Sequence, residues 1–282
     1  MSEVFIDCST LHNLNNPHLR LLDLRWSLQE RDGYADFCAG HIPGALYVDL
    51  ETDLTGQADP LSGRHPLPSA HDLEESIRSW GIDRDSFIVV YDDSHGLAAA
   101  RAWWLLRWAG CDNVLILNGG WEAWSDDYEI ATGASDVVER SDFIIRPHSM
   151  PTIDTSQVLA HAKNAILLDA RAHQRYLGQE EPVDSHAGHI PGAINSPTDK
   201  NLDESDMRFF RPSSELSRYF SDMGIDQSSD IAVYCGSGVT ACHTIAALAS
   251  IDIDAALYPP SWSGWIASRD HPIATGEEKD QR

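Results

Sequence analysis

Positive charge is scarce in this sequence. Twenty lysines and arginines stand against 44 aspartates and glutamates, leaving a net charge of -24 over 282 residues. So acidic a chain repels phosphate backbones and anionic lipid headgroups, which argues against nucleic acid and membrane as partners. Any anionic substrate therefore needs local positive help, from an arginine or from the N-terminal end of a helix. Cysteine is sparse as well. The five present, Cys8, Cys38, Cys111, Cys235 and Cys242, are odd in number and form no CxxC pair. That argues against a disulfide framework and a zinc site, and it fits a reducing compartment. No apolar run approaches the length that spans a bilayer, and the opening "MSEVFIDCST" lacks the basic and apolar regions of a secretion signal. A soluble, cytoplasmic protein is expected. Neither GxxxxGK[ST] nor a GxGxxG following a strand occurs, so neither cofactor nor metal is expected.

What is present is written twice. "LLD" at Leu21 recurs at Leu167, "GHIPGA" at Gly40 recurs at Gly188, and "VY" at Val90 recurs at Val233. A W-x-x-W pair at Trp121 recurs at Trp262, and "IATG" at Ile130 recurs at Ile273. The offsets all fall between 141 and 148 residues and the order is kept, so one domain is used twice. The first copy is placed at 1–140 and the second at 153–282. A polar connection at 141–152, with some strand content around it, joins them.

Within each copy, short β-rich runs ("LLDLR", "FIVVYD", "NVLIL", then "AILLDAR", "IAVYC", "AALYP") alternate with helix-like segments. Those segments are "AHDLEESIRSWG", "AAARAWWLLRWAG", "SSELSRYFSDMG" and "TACHTIAALAS". Alternation of this kind predicts an α/β fold, two tandem domains each built on a mostly parallel sheet with helices on both faces. Such sheets place ligand sites at the carboxyl ends of their strands.

Cys235 stands at such an end, after "IAVY". Gly236, Ser237, Gly238, Val239 and Thr240 follow, and then a helical segment. Glycines let a backbone curl so that several N–H groups converge, and the helix start adds its positive end to the same spot. An anion cradle with a sulfur inside it favours a nucleophilic thiolate and equally suits a persulfide. Cys242, seven residues on, reads as ordinary helix packing. A cysteine-loop phosphatase or arsenate reductase uses related architecture but needs an arginine six residues after the cysteine, and that position is Ala241. The first copy has "VYDDSHGLAAA", with Asp92 where the cysteine would stand, so only the second copy carries a nucleophile. The "GHIPGA" repeats suit a structural turn in which histidine bonds to backbone, and the W-x-x-W pairs suit core packing.

The paired "GHIPGA" and W-x-x-W segments, with a "CGSGVTA" loop in the second copy alone, resemble the two-domain rhodanese family of sulfurtransferases. The uncharged loop is similar to that of the 3-mercaptopyruvate sulfurtransferases, with thiosulfate sulfurtransferases as the alternative and a non-catalytic sulfur-carrier module as a further reading. The resemblance implies that Cys235 takes sulfur from a small-molecule donor and passes it, as a persulfide, to a thiol or cyanide acceptor, including a thioredoxin-like protein. It implies a proton-moving role for Ser237, roles for His65 in "HPLP" and for Glu51 as its acidic partner, and donor-carboxylate binding by Arg175. These enzymes carry a second arginine ahead of "GHIPG"; here the aligned stretch, around Pro182, has none, which leaves the carboxylate clamp incomplete. A monomer is expected.

Overall fold

The computed structural model describes residues 3–29, 32–147 and 150–277. Two compact units emerge from it. The first comprises Met1–Gly56, Leu67–Met150 and Asp203–Phe210; the second comprises Gln57–Pro66, Pro151–Leu202 and Arg211–Arg282. Two short segments thus belong with a different unit from the one their place in a contiguous chain suggests. The assignment of 57–66 to the second unit matters most, because it carries Arg64 and His65.

The first unit holds strands β1 (Phe5–Ile6), β2 (Leu19–Asp23), β3 (Ala45–Tyr47), β4 (Phe87–Tyr91) and β5 (Val114–Leu117), in the spatial order β1-β5-β4-β2-β3. The second holds β6 (Ile166–Asp169), β7 (Ile194–Asn195), β8 (Ile231–Tyr234) and β9 (Ala256–Leu257), in the order β7-β6-β8-β9. All pairings within both sheets are parallel. The central strands read as unbroken apolar runs, FIVVY and IAVY, because helices flank a parallel sheet and leave little of it to water.

The helices lie where the apolar spacing predicts. In Ala70–Ser79, Leu73 and Ile77 are buried four residues apart, and the Ser69 side chain caps the start by accepting the Asp72 N–H at 3.1 Å. Leu97–Ala109 is buried over most of its length and stops at Gly110, whose φ of +94° closes the last turn. The described part of the connection is held to the first unit over much of its length. Among the described residues of 141–152 the only β-pairing is the isolated bridge of Thr152 to Leu257, and His148 and Ser149 lie outside the described residues. Instead, Phe143 is buried, its carbonyl accepts the Arg78 Nε–H at 2.8 Å, and the Ser141 and Arg146 N–H groups donate to the Arg78 and Ala109 carbonyls.

The repeated motifs meet in one buried knot per unit. In the first, Arg25 lies against Asp23 with Nε–H donating at 3.1 Å and Nη2–H at 2.8 Å; Nη2 also donates to the Gly40 carbonyl, and the guanidinium sits 4.6 Å from the Trp121 ring centre. In the second, Arg171 meets Asp169 at 3.0 and 2.6 Å, the Gly188 carbonyl at 2.6 Å and the Trp262 ring at 4.4 Å. Tyr91 and Tyr234 accept the Ile42 and Ile190 N–H groups at 3.1 Å each. His41 and His189 bond through Nδ1 to the Phe37 and Tyr176 carbonyls and stack on those same rings. Their backbones bridge to Ala131 and Ala274 of the "IATG" segments. The histidines of "GHIPGA" are therefore structural, and the repeats mark a fold-stabilising cluster.

Removing one partner of a buried ion pair leaves the other charged and unpaired. Arg25→Ala is expected to destabilise the protein by about 3–5 kcal/mol, read from the urea midpoint; a loss under about 1 kcal/mol would mean that the pair is not holding the knot.

Candidate active site

β8 delivers Cys235 to the carboxyl edge of the second sheet. The chain turns at once through Gly236–Thr240 into the helix Ala241–Ala249. The loop is fixed from both sides. The Cys235 N–H donates to Ser261 Oγ at 3.1 Å, and that hydroxyl donates to the Tyr258 carbonyl at 3.0 Å. The Trp262 and Ser263 N–H groups donate to the Cys235 and Gly236 carbonyls, each at 2.9 Å. Ser261 adopts φ +52°, a left-handed conformation costly for a non-glycine residue, which the buried contacts around it enforce.

Cys235 is buried, and its Sγ accepts the Gly238 N–H at 3.1 Å. Gly238 has φ +84°, and a Cβ there would stand 2.6 Å from the Pro259 carbonyl oxygen, so only glycine aims this amide at the sulfur. Val239 is buried and Thr240 partly so. Of the first helical amides, those of Cys242 and His243 donate to the Val239 and Thr240 carbonyls at 3.1 and 3.2 Å, so it is the Gly238 N–H that the loop turns onto the sulfur. Cys242 Sγ–H donates to the Gly238 carbonyl at 3.4 Å and pins the loop to the helix, a packing role. Ala241 is fully buried at the helix start, so no phosphate-gripping side chain enters the loop from that position.

Ser237 Oγ lies 2.7 Å from His65 Nδ1, both side chains buried, a contact between residues 172 apart in the chain. Arg175 extends from the short helix His173–Tyr176, and its guanidinium nitrogens stand 3.7 and 3.8 Å from where a Cβ on Gly236 would be. Its pairing with Glu181 is real, through Nε–H at 3.1 Å and Nη2–H at 2.6 Å, with a further contact to Asp184 Oδ2 at 2.9 Å. Yet this is no free surface pair: Glu181 and Asp184 are only 5% and 4% exposed. Glu51 belongs to the first unit, where its Oε1 accepts the Trp26 indole N–H at 2.8 Å.

Sequence reading missed three participants. Arg64 ion-pairs with Asp184 Oδ1, and its Nη2 stands 3.1 Å from the Gly236 Cβ position. Its place beside His65 in "GRHPLP" was the available signal. Asp184 and Ser261 gave none, since each acts through contacts distant in sequence.

The first unit supplies a control. Asp92, at the end of β4, is buried, and its carboxylate accepts four backbone N–H groups, from Ser94 and Gly96 on one oxygen at 2.9 and 2.8 Å, and from Ala98 and Ala99 on the other at 2.8 Å each. The strand-to-helix loop of this fold is thus an anion cradle, and the first unit fills it with its own side chain.

The rhodanese-like domain family matches residues 9–127 and 154–268. This chain belongs to the rhodanese-like family. It is 32% identical over 269 residues to the 3-mercaptopyruvate sulfurtransferase of Escherichia coli K12, covering 93% of this chain and 94% of that protein. A Mycobacterium tuberculosis protein provisionally named thiosulfate sulfurtransferase SseB is 44% identical over 262 residues, covering 91% and 90%. The crystal structure of SseA, an Escherichia coli 3-mercaptopyruvate enzyme, superposes with a TM-score of 0.80 at 29% identity, covering 93% of this chain and 99% of that one.

Two outcomes test the site. Gly238→Ala forces a Cβ onto the Pro259 carbonyl and strands a non-glycine residue at positive φ, costing about 1–2 kcal/mol for the conformation alone; the urea midpoint is expected to fall accordingly. The second concerns Glu181. Burial opposes ionisation of its carboxyl, but hydrogen bonds from Arg175 and from the Asp184 and Val183 N–H groups outweigh it and hold the pKa below the usual 4.5. A depressed carboxylate stabilises fully above its unfolded value and loses that contribution as pH falls through its folded value. The stability gap between wild type and Glu181→Gln, followed by urea titration, is therefore expected to be constant from neutral pH to about 5 and to close at lower pH.

Proposed function

We propose that the chain is a sulfurtransferase that takes sulfur from 3-mercaptopyruvate onto Cys235 and hands it on to a thiol or cyanide. The observation that carries this reading is the Cys235 sulfur held on the Gly238 amide, inside a cradle whose counterpart in the first unit binds a carboxylate. Relatives named for this activity, at 32% identity over nearly full length, support it.

The chemistry follows from the groups present. The Cys235 thiolate attacks the donor's sulfur, a Cys235 S–S bond forms, and the donor's C–S bond breaks with its electron pair passing to the enolate of pyruvate. The proton lost from the donor's thiol ends on the enolate carbon, with Ser237 Oγ and His65 Nδ1, 2.7 Å apart, as the relay. The persulfide anion left on Cys235 is stabilised by the loop amides. An acceptor thiolate or cyanide then attacks the outer sulfur, the S–S bond breaks, and the Cys235 thiolate returns. Arg175 supplies the positive charge that an anionic donor requires in a chain of net charge -24. None of the five cysteines is in a disulfide, which suits a reducing, cytoplasmic setting with a small thiol or a thioredoxin-like protein as acceptor, served by a monomer. No helix among the described residues is long and apolar enough to cross a membrane.

Thiosulfate is the second donor to consider, because the Mycobacterium tuberculosis relative carries that name. Intact-mass measurement after incubation with each donor decides. Mercaptopyruvate is expected to add one sulfur to the wild type and to Cys242→Ser, and none to Cys235→Ser. Loading by thiosulfate alone would overturn the donor, and loading that survives Cys235→Ser would overturn the nucleophile.

A further inference from the structure

The stretch ahead of "GHIPG" offers one arginine to a donor, yet the folded second unit presents two. Arg64 arrives from 57–66, a segment docked tightly against the helix Ser261–Trp265. A Cβ on Gly63 would stand 2.4 Å from the Pro260 carbonyl oxygen, a Cβ on Gly264 would stand 2.8 Å from that of Leu61, and the Arg64 N–H donates to Ser263 Oγ at 3.1 Å. Both glycines permit a backbone approach that any side chain would block, so the position of Arg64 is set by the fold.

Asp184 divides its carboxylate between the two arginines, Oδ1 to Arg64 Nη1 and Oδ2 to Arg175 Nη2. Glu181 takes the Nε and Nη2 edge of Arg175. The acidic partners thus occupy one side of each guanidinium. The nitrogens nearest the loop are Arg64 Nη2, 3.1 Å from the Gly236 Cβ position, and Arg175 Nη1, 3.7 Å from it. Arg64 Nε is buried without a hydrogen-bond partner among the described residues, and it is Nη2 that faces the loop at Gly236. Gly236 has an ordinary φ, and its lack of a side chain is what leaves room for both cations beside the sulfur loop.

We infer that Arg64 and Arg175 together bind the carboxylate of the sulfur donor, with Asp184 fixing the spacing of the two guanidiniums. The inference rests on the sulfurtransferase reading and completes the clamp by a residue from a different part of the chain. It makes Arg64 a donor-specificity residue: its contact is to the end of the donor remote from the sulfur, so its loss weakens binding of carboxylate-bearing donors more than it slows the sulfur step.

The test compares 3-mercaptopyruvate with mercaptoacetone, which has the same α-mercaptoketone but no carboxylate, in wild type, Arg64→Gln and Arg64→Lys. A lost charge-assisted contact corresponds to roughly a tenfold or greater rise in KM for mercaptopyruvate. The ratio of kcat/KM for the two donors is expected to fall by about the same factor in Arg64→Gln, with partial recovery in Arg64→Lys. An equal loss with both donors, or an unchanged KM for mercaptopyruvate, overturns the inference. Wild-type protein whose Cys235 gains no sulfur from either donor overturns the sulfurtransferase reading itself, a result that intact mass separates from the kinetic outcomes.

Discussion

In each unit a buried carboxylate and guanidinium, two residues apart at the end of a central strand, hold the sheet to everything around its carboxyl edge. Their charges could not be left alone in that interior, and their mutual geometry, Nε and Nη2 on the two carboxylate oxygens, leaves the guanidinium one further edge and a face. The edge ties down the glycine carbonyl of "GHIPGA", and the face lies on the first tryptophan of W-x-x-W. In the second unit the same pair begins a longer chain. Arg171 Nη1 reaches Glu181 at 3.5 Å, Glu181 holds Arg175, and Asp184 joins Arg175 to Arg64. Three guanidiniums alternate with three carboxylates from the core to the loop. The structural pair therefore anchors the cations of the site, and the cluster is neutral where the chain as a whole is strongly acidic.

The two strand-to-helix loops show what this edge is for. Asp92 places two oxygens among four amides and saturates its cradle with a fixed anion. Cys235 brings a single sulfur to the Gly238 amide. A persulfide is longer by an S–S bond of about 2.05 Å, so on the sulfurtransferase reading proposed above its terminal atom stands beyond the position of the Cys235 sulfur. The same strand-to-helix geometry thus holds a carboxylate in the first unit and a thiol sulfur in the second.

Much of this was legible in the sequence because it is local. Strand, cysteine, glycines and helix lie within 19 residues, Ile231–Ala249, and period and composition identify each. The repeat located the two sheets, and the comparison of Asp92 with Cys235 singled out the copy that carries a cysteine at this turn. What stayed hidden depends on docking between distant segments. His65 and Ser237 meet across 172 residues, and Arg64 reaches Gly236 only because Gly63 and Gly264 let two backbones touch. A search for the second arginine near Pro182 finds none, since that stretch contributes Asp184, the residue that positions an arginine supplied from elsewhere. Ser261 is hidden for a related reason: its left-handed backbone is imposed by its surroundings and contradicts the preference of its residue type.

The position of the positive charge separates binding from chemistry. A cation inside the loop would act directly on the sulfur and on the persulfide, stabilising both and slowing release of the outer sulfur to an acceptor. Here the loop itself is uncharged, and the guanidiniums stand at Gly236, on its rim. The sulfur is governed by amide dipoles, which stabilise developing charge without adding a permanent counter-ion. On the proposed clamp the arginines meet a carboxylate whose charge does not change during transfer, so their contribution would be the same in ground and transition states and be expressed as affinity. On that proposal, binding strength for the donor and reactivity of the sulfur are tuned separately, the first at Arg64, Arg175 and Asp184 and the second at Gly238.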